Sequence, residues 1–203
     1  MGKRWTKDDF SSRDVLGMAQ DLIGCYLLSS IEGSLVSGRI VETEAYRGKD
    51  DKACHAFGYK KTKRTSTMYL PAGHSYVYLC YGIHHLFNIV ASDEGEPDAV
   101  LIRALEPVNG LEKMMERRHF SRLKPQLTAG PGVLSKAMGI DKRHNALDLS
   151  GVDSPLWVEY PDSLEGFQIE QSPRIGIAYA EECVSWPWRF TLKNNPYLSR
   201  IKS

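Results

Sequence analysis

The stretch Tyr76-Val77-Tyr78-Leu79-Cys80-Tyr81-Gly82-Ile83-His84-His85-Leu86-Phe87-Asn88 reads as two extended arms around a reversal. Aromatic and β-branched residues suit a half-buried pleated surface, and Gly82 supplies the backbone freedom that a tight turn requires. The pattern predicts one strand over 76–81, a turn at Tyr81-Gly82-Ile83-His84, and a second strand over 86–90. Pro71-Ala72-Gly73 forms a further turn just before the first arm. Successive strand side chains point to opposite faces, so Tyr76 and Tyr78 share a face. Tyr81 has the other parity, adjoins Gly82 and projects from the tip.

Around this hairpin, Gly38-Arg39-Ile40-Val41-Glu42-Thr43-Glu44-Ala45-Tyr46 reads as another strand, and 99–105 as one that ends at Glu106-Pro107. Apolar residues at helical spacing predict helices over 12–22, with Gly24 as a stop, over 111–118 and over 133–138. Residues 50–67 are polar and basic and read as a long surface excursion. Later apolar runs centre on Leu156-Trp157-Val158, Arg174-Ile175-Gly176-Ile177 and Trp188-Arg189-Phe190-Thr191-Leu192. Strands come early, and helices are interspersed without regular strand–helix–strand alternation. The expected fold class is therefore mixed α/β (α+β): one domain over 1–203 around a curved, largely antiparallel sheet with a protruding hairpin.

The 203 residues are enough to bury a substantial core, and 42% hydrophobic with 25% charged residues is ordinary for a soluble globular protein. No apolar run approaches the roughly 20 residues of a membrane span, and no secretory signal opens the chain. The start Met1-Gly2-Lys3-Arg4-Trp5-Thr6 matches the loose N-myristoylation pattern, but that pattern is short and common. The expectation is a soluble intracellular protein. Cys25, Cys54, Cys80 and Cys183 show neither a C-x-x-C pair nor zinc spacing, so they read as free thiols. A net charge of +1 argues against a nucleic-acid partner unless the charge is segregated on one face. Two basic clusters, Lys60-Lys61-Lys63-Arg64 and Arg117-Arg118-Arg122-Lys124, allow segregation; each is equally readable as a solvated surface run.

Two features ask for a chemical reason. Glu42 and Glu44, about 7 Å apart at their Cα atoms, share one strand face with Ile40 and Tyr46, leaving Val41, Thr43 and Ala45 on the more easily buried side. Acids are poor strand formers. Either this is an ordinary solvent-facing edge, or a carboxylate shielded by aromatics serves as a general base. The second feature is Tyr81. Either the tip folds back onto its own domain, or the ring is a wedge for the gap left by an extruded nucleotide. A metal-dependent hydrolase built on Glu42, Glu44, Asp50, Asp51 and His55 is an alternative, as is a non-catalytic nucleic-acid-binding module.

Together, Glu42-Thr43-Glu44-Ala45-Tyr46 and Tyr76-Val77-Tyr78-Leu79-Cys80-Tyr81-Gly82 resemble the alkyladenine (3-methyladenine) DNA glycosylase family. Further family-like stretches follow in order: Arg103-Ala104-Leu105-Glu106-Pro107, Gly130-Pro131-Gly132, Arg174-Ile175-Gly176-Ile177 and Pro187-Trp188-Arg189-Phe190. The resemblance runs from about Leu16 to about Pro196. It implies that Glu44 activates the attacking water and that Arg103 helps hold both that water and the Glu44 carboxylate. It implies that Tyr46, His55 and Tyr78 sandwich and edge a flipped base, that Asn88 disfavours the exocyclic amino group of guanine, and that Tyr81 intercalates. The implied activity is base-excision repair of alkylated or deaminated purines in double-stranded DNA, leaving an abasic site. Nothing in the sequence suggests a lysine Schiff base, so a monofunctional, monomeric enzyme with no cofactor and no metal is expected. One departure is Val133, where the family commonly has lysine after its Gly-Pro-Gly; this puts one DNA-backbone contact in doubt, although Lys136 lies one turn further on.

Overall fold

The computed structural model describes residues 2–163 and 165–199. Among the described residues, eight strands form one sheet: β1 (Tyr26–Ile31), β2 (Ser34–Tyr46), β3 (Ser75–Cys80), β4 (His84–Ala91), β5 (Asp98–Asn109), β6 (Leu156–Glu159), β7 (Ile169–Ser172) and β8 (Arg189–Leu192). The main path runs β3-β4-β5-β2-β1-β6, and every strand pairing is antiparallel. The long strand β2 is the spine. It pairs with β5 along one edge, while its other edge is shared between β1 at residues 34–39 and β8 at residues 42–44. Among the described residues four α-helices accompany the sheet: α1 (Lys7–Ser11), α2 (Val15–Asp21), α3 (Leu111–Arg118) and α4 (Pro131–Met138). The mixed α/β architecture expected from the sequence is the one observed.

Several boundaries differ from expectation, each for a local reason. The helix expected over 12–22 is confined to α2 (Val15–Asp21), because Asp14 caps it by accepting from Gly17 N at 2.7 Å, and a separate first helix, α1, precedes it. Thr6 and Asp9 form a reciprocal capping box on the first. α4 begins at Pro131 rather than at residue 133, since proline in the first helical turn has no N–H to lose there. β5 does not stop at Glu106-Pro107 but continues to Asn109. β4 pairs only with residues 98–101, so Pro107 lies where β5 has a single strand neighbour, opposite an irregularity at Ser37/Gly38. The apolar run 174–177 forms a loop, whose groups reach the site described below. β1 was not apparent from the sequence: its Ser29 and Ser30 break the apolar pattern, yet Ser29 is buried and donates to Met138 O at 2.8 Å.

The pleat divides the sheet into two faces. Val41, Thr43 and Ala45 of β2, Phe87 and Ile89 of β4, and Val100, Ile102 and Ala104 of β5 are all buried, and the apolar ones among them belong to the main core. α2 and α4 pack on this side, and Thr43 Oγ1 donates to Ala19 O at 2.7 Å. Glu44, Tyr46, Tyr76, Tyr78, Asn88, Leu101 and Arg103 take the other parity. Ile40, expected on that second face, lies in the core beside Val41 instead. The reason is a bulge: Ile40 pairs with Leu105 and Glu42 with Ala104, leaving Val41 without a partner.

The second face is covered by the excursion after β2 and by the loop before β8. A buried ion pair clamps the two. Arg174 Nη2 donates to Asp51 Oδ1 at 2.7 Å, Arg174 Nη1 donates to Ala45 O at 2.8 Å, and both side chains are fully buried. Removing one member strands the other charge in a site without water, which typically costs about 3–5 kcal/mol. Asp51→Ala is therefore expected to lower the unfolding free energy by about that amount, with the loss read from urea midpoints at constant m-value. A change below 1 kcal/mol would mean the clamp contributes little.

Candidate active site

The ionic part of the site starts from β2. Glu42 and Glu44 are fully buried on the middle strand of the sheet, not on a solvent-facing edge. Arg103 of β5 lies between them. In the β2–β5 register Glu42 pairs with Ala104 and Thr43 with Ile102, so Arg103 is an extra residue that answers the extra Val41 on β2. Bulges re-aim side chains, and here the pair of bulges directs a guanidinium across two carboxylates. Arg103 Nε donates to Glu42 Oε1 at 2.8 Å, and Nη1 donates to Glu44 Oε2 at 3.1 Å.

Glu42 is saturated. Its Oε1 also accepts from Arg189 Nε at 2.8 Å and Ser199 Oγ at 2.7 Å, and its Oε2 accepts from Ser199 N at 2.6 Å. Burial alone would raise the Glu42 carboxyl, but Arg103, Ser199 and Arg189 outweigh it and hold it below the ordinary range. Two carboxylates and two guanidiniums thus form a neutral buried cluster. Glu44 has a different set of partners. Its Oε2 accepts from Tyr46 OH at 2.7 Å as well as from Arg103, and its Oε1 accepts from Ile175 N at 2.7 Å. Burial and the neighbouring Glu44 together push the Tyr46 phenol well above its ordinary value, so it remains a donor.

In front of this cluster lies a cavity of about 440 Å³, within the range of small-molecule sites. Tyr46, His55, Tyr76, Tyr78, Asn88 and Arg103 are among its lining residues. Glu44 itself stands directly behind the wall, because its three donors (Tyr46, Arg103 and Ile175) all line the cavity. His55 meets Tyr78 edge-on with ring centroids 4.7 Å apart, and Tyr76 lies 5.4 Å from Tyr78. His55 Nδ1 bonds the Tyr76 hydroxyl at 3.0 Å, while Nε2 faces Arg64 Nη2 at 3.3 Å. A guanidinium can only donate, which makes Nε2 the acceptor and places the ring proton on Nδ1. Burial, assisted by Arg64, pushes the His55 imidazole down to about 4. Asn88 Nδ2 donates to Tyr76 O across the β3–β4 pair at 3.0 Å.

The hairpin tip stands beside this cavity. Cys80 pairs with His84, so the loop is Tyr81-Gly82-Ile83, one residue shorter than the expected turn. Tyr81 is 92% exposed and Ile83 72% exposed. The tip is therefore not folded back onto the domain. Tyr81 and Gly82 take φ of 49° and 72°, a left-handed bend that glycine accepts freely and tyrosine does not.

All seven residues singled out from the sequence thus fall in one region: Glu44, Arg103, Tyr46, His55, Tyr78 and Asn88 around the cavity, and Tyr81 at its margin. The metal alternative is not assembled. Glu42 and Glu44 are bonded to arginines, Asp50 is paired with Arg47 at 2.7 Å, and His55 is held by Tyr76 and Arg64. Among the described residues no three His, Cys, Asp or Glu side chains converge on a cation position. Nothing in the sequence marked the Ile175 amide, Arg189 or Ser199 as partners of the two acids, and Arg64 stood out only as part of a basic cluster, not as a residue of the cavity. Arg189 lay inside a stretch already noted, whereas a backbone N–H leaves no mark in residue type. The second basic cluster is partly structural, since Arg117 donates to Ile31 O and Ala137 O and Arg118 to Gln126 O and Leu127 O. Lys136 is exposed beside a second cavity that Gly132, His84 and Arg143 also line.

A hydrogen-bonded carboxylate thus stands behind an aromatic-lined cavity of small-molecule size, with the exposed Tyr81 at its margin. The chain belongs to the methylpurine-DNA glycosylase family: residues 9–196 match the family model described as Methylpurine-DNA glycosylase (MPG). Among its relatives, a protein of Clostridium acetobutylicum is 44% identical over 202 residues, covering 96% of this chain and 97% of the relative. Relatives from Desulfitobacterium hafniense (47% over 199 residues, 94% and 96%) and Chlamydia pneumoniae (47% over 184 residues, 90% and 92%) are similar. All three are provisionally named 3-methyladenine DNA glycosylase. Among the described residues no helix is long and apolar enough to cross a membrane.

The buried imidazole has a consequence for pH. His55 titrates near 6.5 in the unfolded chain but only near 4 in the folded one. Between those values the unfolded state binds more protons, so stability is lost as the pH falls through that window. Urea midpoints measured from pH 7 to pH 4 should therefore fall, and His55→Gln should flatten that slope. An unchanged slope in the variant would show that His55 is not the titrating group.

Proposed function

We propose that the protein is a single-domain, monomeric, monofunctional DNA glycosylase that acts inside the cell on alkylated or deaminated purines in double-stranded DNA. The observation that carries this reading is the Glu44 carboxylate, fully buried and held by donors from three residues of the aromatic cavity. A carboxylate has about four acceptor positions; the three donors leave one on Oε1 for a water at the cavity wall.

The damaged nucleotide swings out of the duplex and its base enters the chamber between Tyr46 on one side and His55 and Tyr78 on the other. Tyr81 fills the vacated gap in the stack, with Ile83 adding apolar surface at the tip. An alkylated purine carries positive charge, and electron-rich rings hold it by cation–π attraction. Asn88 presents an amide at the base edge and disfavours the exocyclic amino group of guanine. Breaking the N-glycosidic bond leaves cationic character on the sugar. Glu44 stabilises that charge and takes a proton from water as the water adds to the sugar carbon, while the bond electrons leave with the base. An alkylated purine departs neutral because it began as a cation, whereas hypoxanthine needs a proton to leave. Arg103, fixed by Glu42, keeps the Glu44 carboxylate in place and helps hold the water. The products are the free base and an abasic site. A pure binding module has no use for an acid facing DNA, where it repels phosphate.

General-base help is typically worth about 10²–10⁴-fold. Glu44→Gln should lower single-turnover release of 3-methyladenine or hypoxanthine by at least that range, in the presence of chelator, while still binding lesion-bearing duplex. Wild-type rates in this variant would remove Glu44 from the chemistry, and a wild-type protein that releases no base would leave only the binding-module reading. Tyr81→Ala should weaken lesion binding by about one stacking interaction, roughly 1–3 kcal/mol, as read by fluorescence anisotropy on a single-lesion duplex. Unchanged affinity there would argue against a wedge.

A further inference from the structure

Arg64 has no part in the mechanism above, yet it occupies the chamber. It comes from the basic excursion after β2, its side chain is largely exposed, and it lines the same cavity as Tyr46, Tyr78 and Asn88. Its guanidinium carbon lies 4.7 Å from the centroid of the Tyr78 ring, and its Nη2 donates to His55 Nε2. Both contacts are ones that an incoming base needs. The ring of Tyr78 is a stacking surface, and Nε2 is the only acceptor on the neutral His55 ring, whose other nitrogen donates to Tyr76. Arg64 is planar and cationic, as an alkylated purine is. It also has no carboxylate partner among the described residues that would hold it where it is.

We propose that Arg64 is a specificity-determining residue: in the DNA-free protein its guanidinium stands in for a cationic base against Tyr78 and His55, and every incoming base must displace it. The inference rests on the chamber being the site of the flipped base. A displacement cost common to all bases still discriminates between them. A lesion held strongly, whose flipped state dominates at equilibrium, loses almost nothing when that state is made slightly less favourable. A weakly held normal purine, whose flipped state is a minor population, loses rate in proportion. The competitor thus widens the gap between damaged and undamaged bases without reading a hydrogen-bond pattern. Because Arg64 is exposed and long, it moves out at low cost, and the excursion that carries it holds Lys60, Lys61 and Lys63 as well.

The test is single-turnover base release at saturating enzyme, with Arg64→Ala beside the wild type, on duplexes carrying one 7-methylguanine or only undamaged purines. Saturation removes any effect of Arg64 on DNA affinity. The expected result is that the ratio of lesion rate to undamaged rate falls by about three- to tenfold, the scale of one exposed cation–π contact with a solvent-accessible hydrogen bond. The undamaged rate should account for the change by rising. A second readout needs no DNA chemistry: free 3-methyladenine should compete with lesion-bearing duplex at a correspondingly lower concentration in the variant. An unchanged ratio with unchanged competition, or a fall in both rates together, overturns the proposal and leaves Arg64 as a structural or backbone-contacting residue. If the wild type releases neither base, the glycosylase reading itself has failed and this inference with it; an active wild type with an unchanged ratio sinks only the role of Arg64.

Discussion

One guanidinium between two carboxylates organises this protein. Arg103 is carried by an irregular position of β5, facing an irregular position of β2, and it joins two acids that would otherwise repel each other inside the sheet. Neither acid could be buried there alone, because an unpaired charge in a dry interior is lost to protonation or to unfolding. The neutral cluster completed by Arg189 lets the spine strand carry charge through its middle. The helices cover the opposite face, so the ionic machinery and the main hydrophobic core use alternate residues of the same strands.

The arrangement separates two kinds of work. Glu42 takes four donors and behaves as an anchor, while Glu44 takes three and stands next to the chamber. The chamber wall in front of it is aromatic and uncharged apart from Arg103 and the displaceable Arg64. Tuned groups support this division: the Tyr46 phenol and the His55 imidazole are both held in their neutral forms by burial. Rings that stay neutral over a wide pH range keep one pattern of donors and acceptors, and one π surface, throughout that range.

Much of this was legible in the sequence because it depends on alternation and on turns. The hairpin, the carboxylate face of β2 and the projection of Tyr81 follow from a two-residue period and a glycine. What escaped is what period cannot encode. A bulge moves Ile40 to the core and sets Arg103 across both acids, yet a bulge is an extra residue only relative to a partner strand. The Ile175 amide that grips Glu44 could belong to any residue type, and the loop carrying it read as one more apolar run. β1 was hidden because its buried Ser29 is satisfied by a helix carbonyl 109 residues away. The residues that gather around the cavity were recognisable from ordered short motifs; several of the groups that hold them in place were not.

The partners of the two acids are far apart along the chain. Glu44 waits for an amide 131 residues later, and Glu42 for a hydroxyl and an amide 157 residues later. During synthesis the middle strand therefore leaves the ribosome before the segments that carry these partners, which follow 131 and 157 residues later. Until those segments dock, the two acids keep water where the Ile175 and Ser199 donors will stand, so completion of the ionic centre waits on long-range closure of the fold.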